Sequence, residues 1–274
     1  MKNTHYVFAS VLNRNTLMLI RTFLTMSLFL IGCDGDRFDF RGSNVKLLKT
    51  IVIDGDITSV VEFEYDSQGR IAKQIQNNLT ATYTYDRTGD LIKLIWESEH
   101  PGITETQTFT RTRNRVTVTG EIPGVTYETI IELDTQGRPV TVLGERDFTF
   151  KYQNGNIWKM TISVDPSVED DRYTFTYDNE KSPLLNCHTP QWYLAIAFMS
   201  LGFPFIGLNN NPTLVDGSFT EGGLSGHFVY AYDREGYPSH VKVEKTESSG
   251  IISRTYNYTI SYIYTTQKIS TTLF

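Results

Sequence analysis

Cys187 stands beside His188, and a thiol next to an imidazole is the pairing from which a cysteine nucleophile is built. Neighbours on an extended chain project to opposite faces, so the plainer reading is a buried structural thiol beside an unrelated histidine. Glu169-Asp170-Asp171 offers half of the carboxylate pair that glycoside hydrolysis requires, in which two carboxyls stand about 5 to 9 Å apart across a sugar. Three consecutive acids more often form a solvated turn. His100, His188, His227 and His240 show neither His-x-His nor His-x-x-x-His spacing, so no zinc site is expected. Gly-x-Ser-x-Gly, P-loop and dinucleotide fingerprints are absent. No catalytic residue and no cofactor is therefore expected.

Binding has better candidates. Trp96, Trp158 and Trp192 with Tyr193 carry flat faces with a polar edge, which stack on sugar rings or cover an apolar ligand when they are not packed in a core. Trp158 follows Asn154-Gly155 with Ile157 beside it, so one of the two must point outward if that strand alternates. Arg111, Arg113 and Arg115 line one segment and offer a patch for an anionic glycan or phosphate, although outward strand positions filled with Arg and Thr are common.

The elements that position these residues are hairpins. Phe63-Glu64-Tyr65-Asp66-Ser67-Gln68-Gly69-Arg70-Ile71 returns as Tyr83-Thr84-Tyr85-Asp86-Arg87-Thr88-Gly89-Asp90-Leu91. Two more copies follow, Ile131-Glu132-Leu133-Asp134-Thr135-Gln136-Gly137-Arg138-Pro139 and Tyr230-Ala231-Tyr232-Asp233-Arg234-Glu235-Gly236-Tyr237-Pro238. Each alternates and then ends in Asp-x-x-Gly. An Asp at the first position of a type I turn bonds the turn's amides, and Gly at the fourth takes the positive φ that lets the next strand return. Asn154-Gly155 suits a type I′ turn, and a worn copy lies around Arg113-Asn114. Tyr256 to Tyr264 alternates as a long strand buried on one face.

One segment departs from this rhythm. Thr189-Pro190 starts a run with apolar groups at helical spacing that stops at Gly202, which predicts a short helix within an insertion at about 187–215. The helix is expected to pack across an open face or end of the sheet.

The start of the chain is of another kind. Residues 1–32 hold Lys2, Arg14 and Arg21 and no acid, and Phe23 to Ile31 form an apolar run too short for the roughly 20 residues that span a bilayer. Leu30-Ile31-Gly32-Cys33 resembles the lipobox of bacterial lipoproteins, in which the cysteine thiol takes a diacylglycerol. Translation starts at Met1 or at Met18. Cleavage before Cys33 moves the net charge from −6 to −9, which disfavours nucleic acid as a partner. Asp34-Gly35-Asp36-Arg37-Phe38-Asp39 lacks the length and the later Glu of a calcium loop and reads as tether.

The Tyr-Asp-x-x-Gly-Arg phrase resembles the YD repeat of RHS-type proteins, which build spiralling β-hairpin sheets. The order of elements is closer still to a family of gut-commensal bacterial lipoproteins of unknown function. The pieces that match are Cys33, the four Asp-x-x-Gly tips, Tyr173 to Asp178 with Ser182-Pro183-Leu184, the Asn209-Asn210-Asn211-Pro212 turn and Gly236-Tyr237-Pro238, over most of residues 45–264. That family implies no catalytic residue.

Together these readings predict an all-β protein. A signal peptide at 1–32 and a tether at 33–44 precede one repeat domain at 45–270, an antiparallel meander of hairpins in a large twisted or curled sheet with one helical insertion. The expected role is a lipid-anchored, outer-membrane-tethered module, periplasmic or surface-facing, that binds a glycan or envelope protein. The alternatives are an envelope lipid or lipoprotein carrier with an apolar cavity, and a glycan-active hydrolase.

Overall fold

Alternation of apolar with Thr, Glu or Lys runs through most of the chain, and a pleated strand sorts such a sequence into one buried and one wet face. The computed structural model describes residues 44–99, 104–163, 170–197, 209–219 and 222–269. The signal segment, Cys33, the tether as far as residue 43, His100, Glu169 and the 198–208 part of the insertion lie outside them.

The first strands are β1 (Asn44–Gly55), β2 (Ser59–Tyr65), β3 (Ile71–Gln76), β4 (Leu79–Tyr85) and β5 (Leu91–Ser98). Next come β6 (Thr104–Thr112), β7 (Arg115–Ile122), β8 (Val125–Leu133), β9 (Pro139–Leu143) and β10 (Asp147–Gln153). β11 (Asn156–Ser163) and β12 (Asp171–Tyr177) precede the helix α1 (Gln191–Ala197). β13 (Pro212–Phe219), β14 (Gly222–Tyr232), β15 (Pro238–Ser249) and β16 (Ile252–Lys268) complete the described elements.

Each strand pairs antiparallel with the next, as a meander requires. The sheet is not open, however: β1 pairs with β16 from Asn44↔Lys268 to Gly55↔Tyr258, closing a barrel of sixteen strands among the described residues. The expectation of a twisted or curled open sheet is corrected to this extent. Alternation within a strand sets which face is buried but carries no information on whether first and last strands meet; accumulated twist and stagger decide that.

The barrel is mainly apolar inside and mainly polar outside, with Val60, Ile92, Val229 and Ile263 as exposed apolar exceptions on the wall. Val61, Phe63, Tyr83, Val118, Phe150 and Ile260 belong to one buried cluster, while Glu62, Thr82, Thr117 and Thr149, one residue away, face solvent or lie half-buried. Alternate connections share an end in an antiparallel meander. The four Asp-x-x-Gly tips, the 178–211 insertion, Asn44 and Lys268 therefore all sit at one end, called here the tip end.

At that end the expected turn chemistry is present. Asp66 Oδ1 accepts from the amides of Gln68 and Arg70 at 2.9 and 3.0 Å, and the Gly69 amide donates to the Asp66 carbonyl at 3.1 Å with φ +77. Asp86, Asp134 and Asp233 repeat the side-chain bonds, and Gly89, Gly137 and Gly236 repeat the positive φ. Asn154 and Gly155 both have positive φ, as a type I′ turn requires.

Behind most tips the register slips by one residue. Ala72, Ile92, Val140, Trp158, Thr213 and Ser239 are the extra residues, at equivalent positions in β3, β5, β9, β11, β13 and β15. A tyrosine hydroxyl from the following strand donates to the carbonyl just before the slip in three of these strands: Tyr85 to Ile71 at 2.7 Å, Tyr177 to Ile157 at 2.7 Å and Tyr264 to Pro238 at 2.8 Å. Tyr65 does the same to Leu48 of β1 at 2.5 Å, beside the irregularity between Leu48 and Thr50.

The predicted helix exists at 191–197, but it enters the barrel and does not lie on a sheet face. Trp192 meets Phe109 with ring centroids 5.4 Å apart, and Tyr193 meets Tyr83 at 5.5 Å, both partners being inward residues. The insertion is fastened around the rim. His188 N donates to Gly69 O at 2.9 Å, Ile71 N to Thr189 Oγ1 at 2.7 Å, Asn186 Nδ2 to Lys46 O at 2.9 Å, and Asn156 Nδ2 to Asn210 Oδ1 at 2.9 Å.

Gly69→Val is expected to lower thermal stability more than Arg70→Ala. A β-branched residue at positive φ is strained by about 1 to 3 kcal/mol, and a Cβ at Gly69 would also stand 2.6 Å from Ile269 Cδ1. Arg70→Ala loses a partly exposed ion pair to Asp66 and a stack on Tyr85, each worth about 1 kcal/mol or less. Calorimetric melts of the two variants make the comparison.

Candidate functional site

The four aromatic candidates do not converge. Trp192 and Tyr193 are 1% and 7% exposed and belong to the core that α1 brings into the barrel. Trp96 lies opposite Ala81 and Glu105 in the ladder, so it faces inward with them, partly buried. Trp158 alone of the four stands outside, at 37% exposure, while Ile157 is buried.

The reason is local. Lys151 pairs with Lys159 and Tyr152 with Ile157, so Trp158 is the extra residue of its bulge. Lys159 is opposite the exposed Thr174, which places it on the outer face together with the exposed Lys151. Thr149, Thr161 and Thr176 lie on the same outer face and add hydroxyls to it.

A second group lies inside the barrel. Glu105 is 6% exposed and accepts from the Tyr127 hydroxyl at 2.5 Å and from Gln107 Nε2 at 3.4 Å. Tyr127 reaches it by crossing β7 at Gly120, where an added Cβ would lie 1.7 Å from the tyrosine Cζ. Tyr83 connects Gln74 Oε1 at 3.0 Å with the Tyr193 hydroxyl at 3.3 Å. Burial raises the Glu105 carboxyl above its ordinary value, against the opposing effect of its two hydrogen bonds. This cluster escaped the reading of the sequence. Its signal was present: Glu105 and Gln107 occupy the inward phase of Thr104-Glu105-Thr106-Gln107-Thr108-Phe109, where apolar residues are expected.

Cys187 is a free buried thiol whose pKa is pushed up to about 11 by burial, the opposite of an activated nucleophile. The His188 ring engages Gln68 O at 2.7 Å, so the adjacent pair serves two different contacts. Asp170 accepts from Ser163 Oγ at 2.6 Å at the far end of the barrel. The arginine stripe is partly neutralised, Arg111 by Asp90 at 2.5 Å and Arg115 by Glu132 at 3.3 Å. No group of three or more metal-ligating side chains is placed to hold an ion among the described residues.

No family model matches the chain, and no curated protein does. Among solved structures it is similar to a porin-like protein from Bacteroides uniformis, at 14% identity and TM-score 0.38, covering 80% of this chain and 98% of that one. It is likewise similar to a porin-like protein from Bacteroides vulgatus, at 10% identity and TM-score 0.43, covering 81% of this chain and 99% of that one.

Two outcomes follow from this geometry. Trp192→Ala should destabilise the protein by about 3 to 5 kcal/mol, as large core truncations do, and Trp158→Ala by less than about 1 kcal/mol in denaturant titrations. Glu105→Gln should raise stability at neutral pH. The folded carboxyl binds its proton more tightly than the unfolded one, so wild-type stability is full below the ordinary carboxyl value of 4.5 and declines as pH rises through the folded value. The advantage of the glutamine variant should therefore shrink as melts are moved from pH 7 towards pH 4.

Proposed function

We propose that the protein is a lipid-anchored cell-envelope protein whose barrel is a non-enzymatic binding or assembly module. The observation that carries this reading is the polarity of the wall. A membrane-spanning barrel has an apolar band about 25 Å tall on its outside and a polar interior. Here the order is inverted, with Glu62, Thr82, Thr106, Thr117 and Lys242 outward and the aromatic core inward. Such a barrel is held at a membrane by an anchor and does not conduct through its wall.

Cys33 supplies that anchor, and acyl chains in the bilayer make the membrane its first partner; each buried CH₂ contributes about 0.8 kcal/mol. Asn44 starts at the tip end, so the tether leaves from the end that the insertion occupies. A carrier needs an apolar interior free for its cargo, and Trp192 and Tyr193 occupy part of that interior, packed against Phe109 and Tyr83. A glycoside hydrolase of the usual kind uses two facing carboxylates, and Glu105 has Tyr127 and Gln107 as its hydrogen-bond partners. A glycan or an envelope protein, met on the outer wall, is the ligand class that remains.

Feeding cells a clickable fatty acid tests the anchor. Label is expected on the wild type and absent from Cys33→Ala; equal label on both, or stepwise conductance from the purified protein in planar bilayers, overturns the reading.

A further inference from the structure

The outer patch around Trp158 contains a juxtaposition that the fold does not require. Lys151 and Lys159 are directly opposed on neighbouring strands, with Cβ atoms about 5 Å apart, and like charges so placed destabilise a sheet. Neither lysine has a carboxylate within ion-pair distance among the described residues. On the same outer wall Lys73 meets Glu64 at 3.6 Å, Arg111 meets Asp90 and Arg115 meets Glu132. The mismatch sits where the bulge turns an indole outward.

Resting on the binding-module reading, we infer that Trp158, Lys151 and Lys159 form a recognition site for an acidic sugar, a pyranose ring bearing a carboxylate as in hexuronate oligosaccharides. The indole face takes the C–H face of the ring, the two ammonium groups take the carboxylate, and the hydroxyls of Thr174 and Thr176 face the sugar's own hydroxyls. The patch carries one exposed aromatic ring beside two lysines, which suits a sugar. An extended peptide needs a free sheet edge to pair with, and β10, β11 and β12 are each paired on both sides within a closed barrel. With a net charge of −9 after cleavage before Cys33 the surrounding field repels anions, so an acidic ligand must engage the local lysine pair to bind.

The full-length acylated protein in mild detergent is titrated calorimetrically with oligogalacturonate, with neutral oligogalactan of the same length, and with inorganic phosphate. Oligogalacturonate is expected to bind, more weakly as salt rises, with the neutral chain and phosphate each at least about tenfold weaker. Trp158→Ala should weaken binding about tenfold and Trp158→Phe less, while Lys151→Ala with Lys159→Ala should remove the preference for acid over neutral sugar. Unchanged melting temperatures show that these variants still fold. Absence of oligogalacturonate binding, equal affinity for the neutral chain, competition by phosphate as effective as by the sugar, or indifference to Trp158→Ala overturns the site. None of those outcomes alters the fatty-acid label on Cys33, so failure here and failure of the anchored reading are separable.

Discussion

A carbonyl left by a register slip, and the tyrosine hydroxyl that claims it, recur around one end of this barrel, and its shape depends on that exchange. A bulge bends its strand and increases the local twist, but it also leaves a ladder group without its partner. Leaving such a group buried and unpaired costs about 1 to 3 kcal/mol. Tyr65, Tyr85, Tyr177 and Tyr264 offset this by reaching to Leu48, Ile71, Ile157 and Pro238 on the preceding strand. With that loss covered, the slip can be repeated strand after strand, and the tip end curls.

The residue types in the repeated phrase follow from the same exchange. Asp caps the turn amides, Gly takes the positive φ, and Arg70 or Arg138 folds back on its Asp while its guanidinium lies over the next tyrosine ring, 4.3 Å from Tyr85 and 4.5 Å from Tyr152. The departures are informative too. The third copy has Leu133 in place of tyrosine, and the preceding hairpin, β6 with β7, shows no register slip that would free a carbonyl for a hydroxyl. Two tyrosines at the equivalent place depart from the exchange: the Tyr232 hydroxyl donates to Asp178, and that of Tyr152 is buried without a hydrogen-bond partner among the described residues.

Much of the wall was legible in the sequence because its rules are local. A period of two, an Asp-x-x-Gly turn and an Asn-Gly turn each act within a few residues, and the tips and strands follow them. Closure was not legible, since the meeting of Asn44 with Lys268 depends on stagger summed over every strand between them. The direction of α1 was hidden for a related reason: its apolar stripe announces burial, but only a closed wall supplies an interior to enter. The outward turn of Trp158 was half legible. Alternation required Ile157 or Trp158 to face out, and the bulge that decided between them arises from pairing with β10. Glu105 and Gln107 were overlooked because their strand was read for its arginines at the tip and not for the phase of its start.

Placement of the outer patch bears on what it can meet. Trp158 lies a few residues beyond the Asn154-Gly155 turn, hence near the tip end, the same end from which the chain runs back towards Cys33. With Cys33 acylated, the eleven residues to Asn44 reach at most roughly 40 Å when extended, at about 3.5 Å per residue. A site near the tethered end then lies at the same end of the barrel as the anchor, whereas the far-end turns lie at the other. A patch at the anchored end meets polymers lying along the envelope before it meets anything arriving at the other end. A patch with one ring and two charges suits that approach: a repeating chain offers the same acidic sugar at many registers, so modest affinity at one site is offset by the number of equivalent positions.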